Sequence, residues 1–365
     1  MSWAFVHEYL TRMGGAERVL YEMSEEAPEA PVYSLLYDAH ATGEYFPPHN
    51  VKESFFRNFP SIVRANPKML SPLCPTAIES IDLSDYELVI SSSNSFAKGI
   101  ITKSDTTHVS YCHAPMLFAW EATHSYVQQQ GKGALTKTGI GLILHYLRQW
   151  DQQASERVDY FIANSETTRQ RIQKYYRREA PVIYPPVDVD RFTPRKGEGE
   201  YFLIASQLTP YKQIDLAIRV FNHLNIPLVI LGDGPDRQRL EQMAASHISF
   251  QGFVSEEEKR QWYEDARGFI FPGSDDFGIA PVEAMAAGTP VLALRAGGAT
   301  ETIQEGVTGE FFDSPQEALL GDGVRRILEK EQTYDPAALH EHARQFNPQR
   351  FRSQFREYLQ RLEEG

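Results

Sequence analysis

Two carboxylates near the junction of a predicted strand and a predicted helix are the strongest candidates for ligand binding in this sequence. Asp275 and Glu283 lie in the segment 274–290, directly after the apolar run Phe269–Phe271. Carboxylates accept hydrogen bonds from the hydroxyl groups of a polyol, and the amides at a helix N-terminus bind anions. The alternative is a surface Asp with a helix-start Glu that only favours the helix dipole. Gly278, which lets the backbone approach a ligand closely, favours the functional interpretation.

A lysine in a loop is the second candidate. Lys212 lies in the segment Ser206–Gln213, which follows the predicted strand Tyr201–Ala205. A diphosphate leaving group needs fixed positive charge where negative charge develops, and an ammonium group supplies that charge in compact form. A single loop lysine is usually a solvated surface charge, but a position directly after a strand favours phosphate binding.

Two segments in the first half of the chain also follow predicted strands. The paired glycines Gly14-Gly15 precede a predicted helix and can expose amides toward a phosphate, although they also suit an ordinary turn. They do not form the G-x-G-x-x-G pattern of nicotinamide-binding proteins. His113 ends the run Thr107–Cys112 and can hydrogen-bond to a sugar hydroxyl, although a lone histidine is more often structural. Cys112 cannot form a catalytic pair with it, because neighbouring strand residues point to opposite faces.

Short apolar runs alternate with predicted helices, which is typical of β-α-β units on a parallel sheet. The runs are Ala4–Val6, Val32–Leu36, Glu87–Ser91, Thr107–Cys112 and Tyr160–Ala163, then Tyr201–Ala205, Pro227–Leu231, Ile248–Phe250, Phe269–Phe271 and Val291–Leu294. Helices are predicted at about 214–224, 236–245, 255–266, 281–287 and 348–364. The segment 181–194 holds four prolines and is interpreted as a linker. We therefore predict an α/β protein with two Rossmann-like, doubly wound domains that bind ligands beyond the carboxyl ends of their strands.

Composition and charge exclude several classes of protein. The 365 residues include 42% hydrophobic and 23% charged residues, as expected of a folded globular chain. The net charge of −13 argues against a nucleic-acid-binding protein. Cys74 and Cys112 are too few for a disulfide scaffold, and the apolar stretch 139–147 is about half as long as a bilayer span. Because no signal peptide is recognised, we expect a cytoplasmic protein.

Residues 116–150 have two interpretations. They include three basic residues, Lys132, Lys137 and Arg148, and an apolar stretch at 140–147. Such a segment could lie against the inner face of the cytoplasmic membrane, as a peripheral contact near a lipid-linked substrate. The alternative is a core helix preceded by a solvated loop.

Taken in order, these motifs resemble those of the family-4 glycosyltransferases, which have the GT-B fold. The segment around Asp275 and Glu283 is similar to the E-x7-E motif of that family, with Asp in place of the first Glu. The segment around Lys212 is similar to an Arg-x-x-x-x-Lys motif, with Gln207 in place of the Arg. The resemblance extends over nearly the whole chain and is closest to bacterial mannosyltransferases of surface-polysaccharide synthesis.

The resemblance implies a role for each matching residue. It places Glu283 on the ribose of a nucleotide, Lys212 on the diphosphate, and Asp275 and His113 beside the transferred sugar, so that His113, Asp275 and Lys212 are the predicted catalytic residues. The residues predicted to bind the donor are Gly14, Gly15, Gln207, Lys212, Phe253, Val254, Phe277, Gly278, Ile279, Glu283 and Gly298. No metal or other cofactor is implied. The D-x-D pattern at 188–190 has the form of a metal clamp but lies in the linker.

The resemblance also implies a domain organisation and an activity. An acceptor-binding domain, 1–187 with a C-terminal helix at about 347–365, would face a sugar-nucleotide-binding domain, 188–346, across a cleft. The activity would be a retaining, metal-independent transfer of a hexose, with mannose from GDP-mannose favoured, onto a saccharide or a polyprenyl-diphosphate-linked saccharide in cell-surface polysaccharide synthesis. The alternatives are a UDP-sugar donor on the same fold, a sugar-nucleotide epimerase and a non-catalytic protein that binds nucleotide sugars.

Overall fold

In the residues that the structure describes, two parallel β-sheets of six strands each form the framework of the protein. The computed structural model describes residues 2–64, 66–130, 133–197 and 199–364. The chain divides into two units, Met1–Tyr184 together with Arg352–Gly365, and Pro185–Phe351. Each sheet lies within one unit, so the predicted α/β class with two Rossmann-like domains is confirmed. The acceptor and donor roles assigned to residues 1–187 and 188–346 stay predictions.

The first sheet has the strand order β3-β2-β1-β4-β5-β6, and its neighbouring strands are parallel. Its strands are β1 (Trp3–Leu10), β2 (Val32–Tyr37), β3 (Val51–Glu53), β4 (Leu88–Ser93), β5 (Thr107–Cys112) and β6 (Tyr160–Ala163). Every residue of β4 is buried, as expected of a central strand covered by helices on both faces. The chain order reverses between β1 and β4, and this point of a doubly wound sheet is where ligands usually bind.

The α-helices described before residue 184 lie between or after the strands of this sheet. They are α1 (Gly15–Ser24), α2 (Ala39–Thr42), α3 (Ser61–Arg64), α4 (Pro67–Leu70), α5 (Cys74–Glu79), α6 (Leu117–Trp120), α7 (Thr123–Gln130), α8 (Ala134–Glu156) and α9 (Glu166–Tyr176). Leu144, Leu147 and Trp150 of α8 join the hydrophobic core that contains Ala4 and Val89 of the sheet.

The second sheet repeats the topology of the first. Its strands are β7 (Tyr201–Ala205), β8 (Leu228–Leu231), β9 (Ile248–Gly252), β10 (Ala266–Phe271), β11 (Val291–Leu294) and β12 (Gly309–Phe312), in the order β12-β11-β10-β7-β8-β9. These strands are parallel as well. The chain order reverses between β7 and β10, so the loops after these two strands lie at the usual ligand-binding edge.

The described part of the second unit contains seven α-helices. They are α10 (Ile214–Leu224), α11 (Arg237–Met243), α12 (Glu256–Glu264), α13 (Ile279–Ala286), α14 (Ala299–Thr302), α15 (Glu317–Glu329) and α16 (Pro336–Ala343). α12 begins with a capping box, in which the Ser255 side chain accepts from the backbone of Glu258 and the Glu258 side chain accepts from that of Ser255. This pairing sets where α12 starts.

The last helix, α17 (Pro348–Glu364), belongs largely to the first unit. Phe355 and Leu359 are buried, and Arg356 forms an ion pair with Glu26 at 2.8 Å. The prediction that the C-terminal helix returns to the first domain is therefore confirmed. Within the described residues, no helix combines the length and the apolarity that a membrane crossing requires.

Candidate functional site

Loops at the carboxyl ends of β7 and β10 bring two predicted catalytic residues together. Lys212 follows β7 and Asp275 follows β10, and the Lys212 Nζ contacts the Asp275 Oδ1 directly. The lysine side chain is 12% exposed and the aspartate side chain 29%. A ligand at this edge of the sheet can therefore reach both charges.

Glycines allow these loops to pack closely. A Cβ atom on Gly273 would lie 2.9 Å from the backbone of Lys212, and one on Gly298 would lie 2.3 Å from the backbone of Phe277. The Gly298 N–H donates to the carbonyl oxygen of Asp275 at 2.9 Å. Only glycine permits such an approach, so the loops after β7, β10 and β11 form one surface. The Gly298 amide, predicted to bind the donor, is already paired within the protein.

Glu283 lies on α13, whose N-cap residue Gly278 has a φ of +87°, a backbone conformation that favours glycine. The Glu283 side chain is 3% exposed. Its carboxylate accepts hydrogen bonds from Lys259 Nζ at 2.7 Å and from the Tyr263 hydroxyl at 3.1 Å. A buried carboxylate is costly unless it is paired in this way. Lys259 and Tyr263, both on α12, therefore fix the position of the Glu283 carboxylate.

The other predicted donor-binding residues of the second unit differ in exposure. Phe253, which follows β9, is 84% exposed and offers an open aromatic face. Three more are at least partly exposed: Gln207, Val254 and Ile279. Phe277 is instead buried, with its ring centroid 5.4 Å from that of Phe346. Any contact of Phe277 with a ligand must therefore come from its backbone.

The paired glycines of the first unit form the start of α1. Gly14 is the N-cap residue, and its N–H donates to Glu17 Oε2 at 3.0 Å. The Glu17 carboxylate thus occupies the place where an anion binds at a helix N-terminus. Phosphate binding by Gly14 and Gly15 would therefore require Glu17 to move.

His113 lies beside buried polar side chains that no sequence motif singles out. His113 Nε2 lies 2.8 Å from Ser92 Oγ, and the same oxygen lies 3.0 Å from His7 Nδ1. His7 Nε2 in turn lies 3.6 Å from Glu17 Oε1. These four residues, called the His7–His113 relay below, connect the start of α1 with the end of β5.

The relay contains shifted pKa values. Burial disfavours the charged form of His7, but the hydrogen bond and charge of Glu17 outweigh burial and raise the pKa of His7. Burial and the charge of His7 lower the pKa of His113 to about 4. Burial opposes ionisation of Glu17 as well, yet His7 lowers its pKa. At neutral pH we therefore expect a His7–Glu17 ion pair beside a neutral His113.

A pocket of about 510 Å³ opens beside the relay within the first unit. Its walls combine aromatic and polar side chains, among them Tyr9, Thr11, Arg12, Asn94, Phe118 and Tyr126. Glu8, at its base, accepts the backbone N–H groups of residues 94–97 at 2.8 to 3.0 Å. Glu8 therefore stabilises the loop after β4. The other polar side chains that line the pocket are suited to binding a small polyol.

Six residues of these sites are absent from the sequence predictions: His7, Glu8, Glu17, Ser92, Lys259 and Tyr263. Three of them could have been recognised from the sequence. His7 and Glu8 are polar residues inside a strand that is otherwise apolar, and such residues are seldom buried without partners. Glu17 stands three positions after Gly14, the spacing of a capping box. Ser92 gave no signal, because its partner His7 lies 85 positions away.

The D-x-D pattern at 188–190 has another role in the structure. Asp190 lies 4.0 Å from a guanidinium nitrogen of Arg344, at the surface of the second unit. In the part of the chain that the structure describes, no group of three His, Cys, Asp or Glu side chains is placed to hold a metal ion.

The predicted membrane-contact segment is partly core and partly surface. Leu144 and Leu147 are buried, whereas Leu135 and Leu142 are 90% and 67% exposed. Lys132 lies outside the described residues. The first half of α8 therefore presents apolar surface, and its second half belongs to the core.

Two family models match the chain. Residues 13–191 match the model described as Glycosyltransferase Family 4, and residues 188–346 match the model described as Glycosyl transferases group 1. The sequence is thus similar to two glycosyltransferase families, one in each half of the chain. Together the two matches extend from residue 13 to residue 346, and they meet in the linker that the sequence predicts.

Curated relatives match parts of the chain. The D-inositol 3-phosphate glycosyltransferase of Mycolicibacterium smegmatis is 26% identical over 223 residues, which cover 54% of this chain and 51% of that protein. The GDP-mannose-dependent alpha-(1-6)-phosphatidylinositol monomannoside mannosyltransferase of Mycobacterium tuberculosis is 32% identical over 196 residues, which cover 45% of this chain and 51% of that protein. The chain thus spans about half the length of the curated relatives it matches.

A solved structure matches almost the whole chain. Anabaena HepE, crystallised in complex with UDP, aligns with a TM-score of 0.70 and 17% identity, covering 98% of this chain and 99% of that chain. This likeness, with the two six-stranded sheets, shows the GT-B glycosyltransferase fold.

Proposed function

We propose that the protein is a retaining glycosyltransferase that moves a hexose from a sugar nucleotide to a saccharide or a lipid-linked saccharide. The observation that carries this proposal is the Lys212–Asp275 pair with Glu283, placed by the loops and helix that follow β7 and β10. This edge combines a cation for a diphosphate with carboxylates for sugar hydroxyls.

Each group would act on a different part of the donor. Glu283 would accept hydrogen bonds from the ribose hydroxyls, and Lys212 would exchange Asp275 for the diphosphate. The aromatic face of Phe253 is available for a base. Asp275 and His113 would contact the transferred sugar. The pocket of the first unit, with its aromatic and polar walls, would bind the acceptor.

The proposed reaction is a front-face displacement. The bond between the anomeric carbon and the phosphate oxygen breaks, and the sugar gains oxocarbenium character. The acceptor hydroxyl oxygen forms its bond on the same face, and its proton passes to the departing phosphate oxygen. Lys212 stabilises the charge that develops on the diphosphate. No metal is required in this scheme.

GDP-mannose is the donor we favour, because the name of a relative 32% identical over 196 residues specifies it. A thermal-shift titration with GDP, UDP and ADP and their common sugar conjugates, all in EDTA, tests this choice. A ligand that binds only the folded state raises the melting temperature. We expect shifts with GDP and GDP-mannose. Shifts with UDP ligands only would overturn the mannose assignment, and no shift at all would contradict the donor site.

Glu283→Gln tests the site itself. We expect at least a tenfold loss of transfer, equivalent to about 1.4 kcal/mol, because an amide replaces the carboxylate that binds ribose. Glu310→Gln is the matched control: Glu310 is also buried in this unit, with Lys330 Nζ at 2.7 Å and the Tyr334 hydroxyl at 3.2 Å. Equal losses of transfer in both variants would indicate that the substitutions act by destabilising the protein. Unchanged transfer by Glu283→Gln would disprove the assignment of Glu283 to the ribose.

The product distinguishes transfer from the alternatives. NMR of the anomeric proton should show the configuration of the donor sugar in a new glycoside. A changed sugar nucleotide without a glycoside would indicate an epimerase. Binding without any turnover would indicate a non-catalytic protein.

We also propose that the exposed apolar surface at the start of α8 contacts a membrane that carries the acceptor. Leu135 and Leu142 would insert at the lipid surface. Leu142→Glu should reduce sedimentation with anionic vesicles, while transfer to a water-soluble acceptor continues. Equal sedimentation of both proteins would reject this contact.

A further inference from the structure

We propose that Ser92 and His7 are positioning residues for His113: they hold it in the tautomer with hydrogen on Nδ1, so that this N–H is available to a sugar hydroxyl oxygen. The tautomer follows from the geometry of the first unit alone. Its use on a sugar rests on the proposed function.

The argument begins at His7. Its Nδ1 lies 3.0 Å from the backbone carbonyl oxygen of Ser92. A carbonyl oxygen only accepts hydrogen bonds, so His7 Nδ1 must carry hydrogen. The other ring nitrogen faces the carboxylate of Glu17 at 3.6 Å, which is also an acceptor. His7 therefore carries hydrogen on both nitrogens, in agreement with its raised pKa.

The hydroxyl of Ser92 links the hydrogen positions on His7 to the tautomer of His113. Ser92 Oγ cannot donate to His7 Nδ1, because that nitrogen is itself a donor. Its single hydrogen is then directed to His113 Nε2, 2.8 Å away. A neutral imidazole holds one hydrogen, and Nε2 accepts, so the hydrogen of His113 is on Nδ1. The lowered pKa of His113 agrees with a neutral ring.

His113 Nδ1 has no hydrogen-bond partner among the described residues, and His113 as a whole is 7% exposed. The ring is fixed on one side by Ser92 and presents a donor on the other. Such a donor is suited to a hydroxyl or other oxygen acceptor of a bound sugar. A ring free to change tautomer would offer this donor only part of the time.

Nitrogen-15 NMR of histidine-labelled protein tests the tautomer without any reaction. His113→Gln identifies the signals of His113 by their loss. We expect the wild-type ring at pH 7.5 to be protonated at Nδ1 and unprotonated at Nε2. A ring protonated at Nε2 in the folded wild-type protein would overturn the proposal, and this measurement needs no further variant.

Ser92→Ala tests the bridge. We expect the His113 ring to shift toward the Nε2-protonated form, and kcat to fall about tenfold while the KM for the donor changes less than about threefold. An unchanged tautomer in folded Ser92→Ala protein would show that Ser92 has only a structural role.

Ser91→Ala is the matched control. Ser91 is equally buried on the same strand, and its Oγ lies 2.9 Å from Nε2 of another buried histidine, His108. This variant loses a similar hydrogen bond but should keep the His113 tautomer and kcat. If no donor supports transfer, the NMR result still decides the tautomer, so failure of the proposed function is separable from failure of the relay.

Discussion

At the residue scale, Lys259 supplies the positive charge beside the buried carboxylate of Glu283. Lys259 is 23% exposed and the Glu283 side chain 3%, so loss of Lys259 would remove a cation from a carboxylate that is almost fully buried. We expect Lys259→Ala to lower the free energy of unfolding by about 1–3 kcal/mol, the cost of a poorly satisfied buried polar group. Urea unfolding followed by circular dichroism measures this change. Arg260→Ala on the same helix removes ion pairs with Glu257, which is 68% exposed, and with the part-buried Glu264, so we expect a smaller effect. An equal loss in this variant would contradict the argument.

Asp275 and a diphosphate would compete for Lys212. Asp275→Asn removes the competing carboxylate, so we expect the Kd for the nucleoside diphosphate to fall about threefold, as for a partly exposed charge interaction. Lys212→Met should raise the same Kd. Isothermal titration calorimetry measures both, with the neighbouring Asp276→Asn as a control. Weaker binding by Asp275→Asn would show that this carboxylate contacts the nucleotide instead of opposing it.

The residues that the sequence could predict are those whose signal is local. Lys212 and Asp275 each stand directly after an apolar strand, and the structure brings their side chains into contact. Lys259 lies 24 positions from its partner Glu283, and neither segment encodes that pairing locally. The ring of Phe277 packs against Phe346, which lies far away in the sequence. The burial of Phe277 could therefore not be predicted from the residues near it.

At the element scale, β5 carries a buried histidine that should make the protein sensitive to acid. Burial lowers the pKa of His108 to about 3, against a usual value of 6.5. The unfolded chain therefore binds more protons between pH 6.5 and pH 3, and stability is lost as the pH falls through this window, by up to about 1.4 kcal/mol per pH unit. The lowered pKa of His113 also reduces stability as the pH falls. The raised pKa of His7 instead increases stability as the pH falls.

His108→Gln should make stability less dependent on pH below 6.5, because glutamine does not titrate. Urea unfolding at pH 5.0 and pH 7.5 gives the comparison. The difference between the two pH values should be smaller for the variant by about 1–2 kcal/mol. An identical difference in both proteins would show that His108 is already protonated in the fold.

The strands that could be predicted are the ten with an apolar run, and all ten are present. β3 and β12, which were not predicted, each lie at one edge of their sheet, whereas the opposite edge strands, β6 and β9, were predicted. β3 has the sequence Val-Lys-Glu, and two of its three side chains are polar because an edge strand faces water on one side. β12 includes Glu310, which forms ion pairs with Arg326 of α15 and with Lys330 directly after that helix, so its sequence alone does not look buried.

At the scale of the whole molecule, the repeated order of strand and helix was sufficient to predict two units of the same topology. The contacts between polar side chains within each unit could not be predicted, because they depend on which strands become neighbours. β1 and β4 pair although about 80 residues separate them, and this pairing places His7 beside Ser92. Sheet order therefore determines the site, and sheet order is a property of the entire unit.

The last helix tests whether the two units are energetically independent. Phe355 of α17 is fully buried in the first unit, so Phe355→Ala should destabilise that unit by about 3–5 kcal/mol. Nucleotide affinity should change less than about twofold, because the proposed donor residues lie in the other unit and distant sites are usually additive. Hydrogen exchange should show reduced protection in β1 and α1, with Arg356→Ala as the exposed control. A parallel loss of nucleotide affinity would mean that the donor site depends on the fold of the first unit.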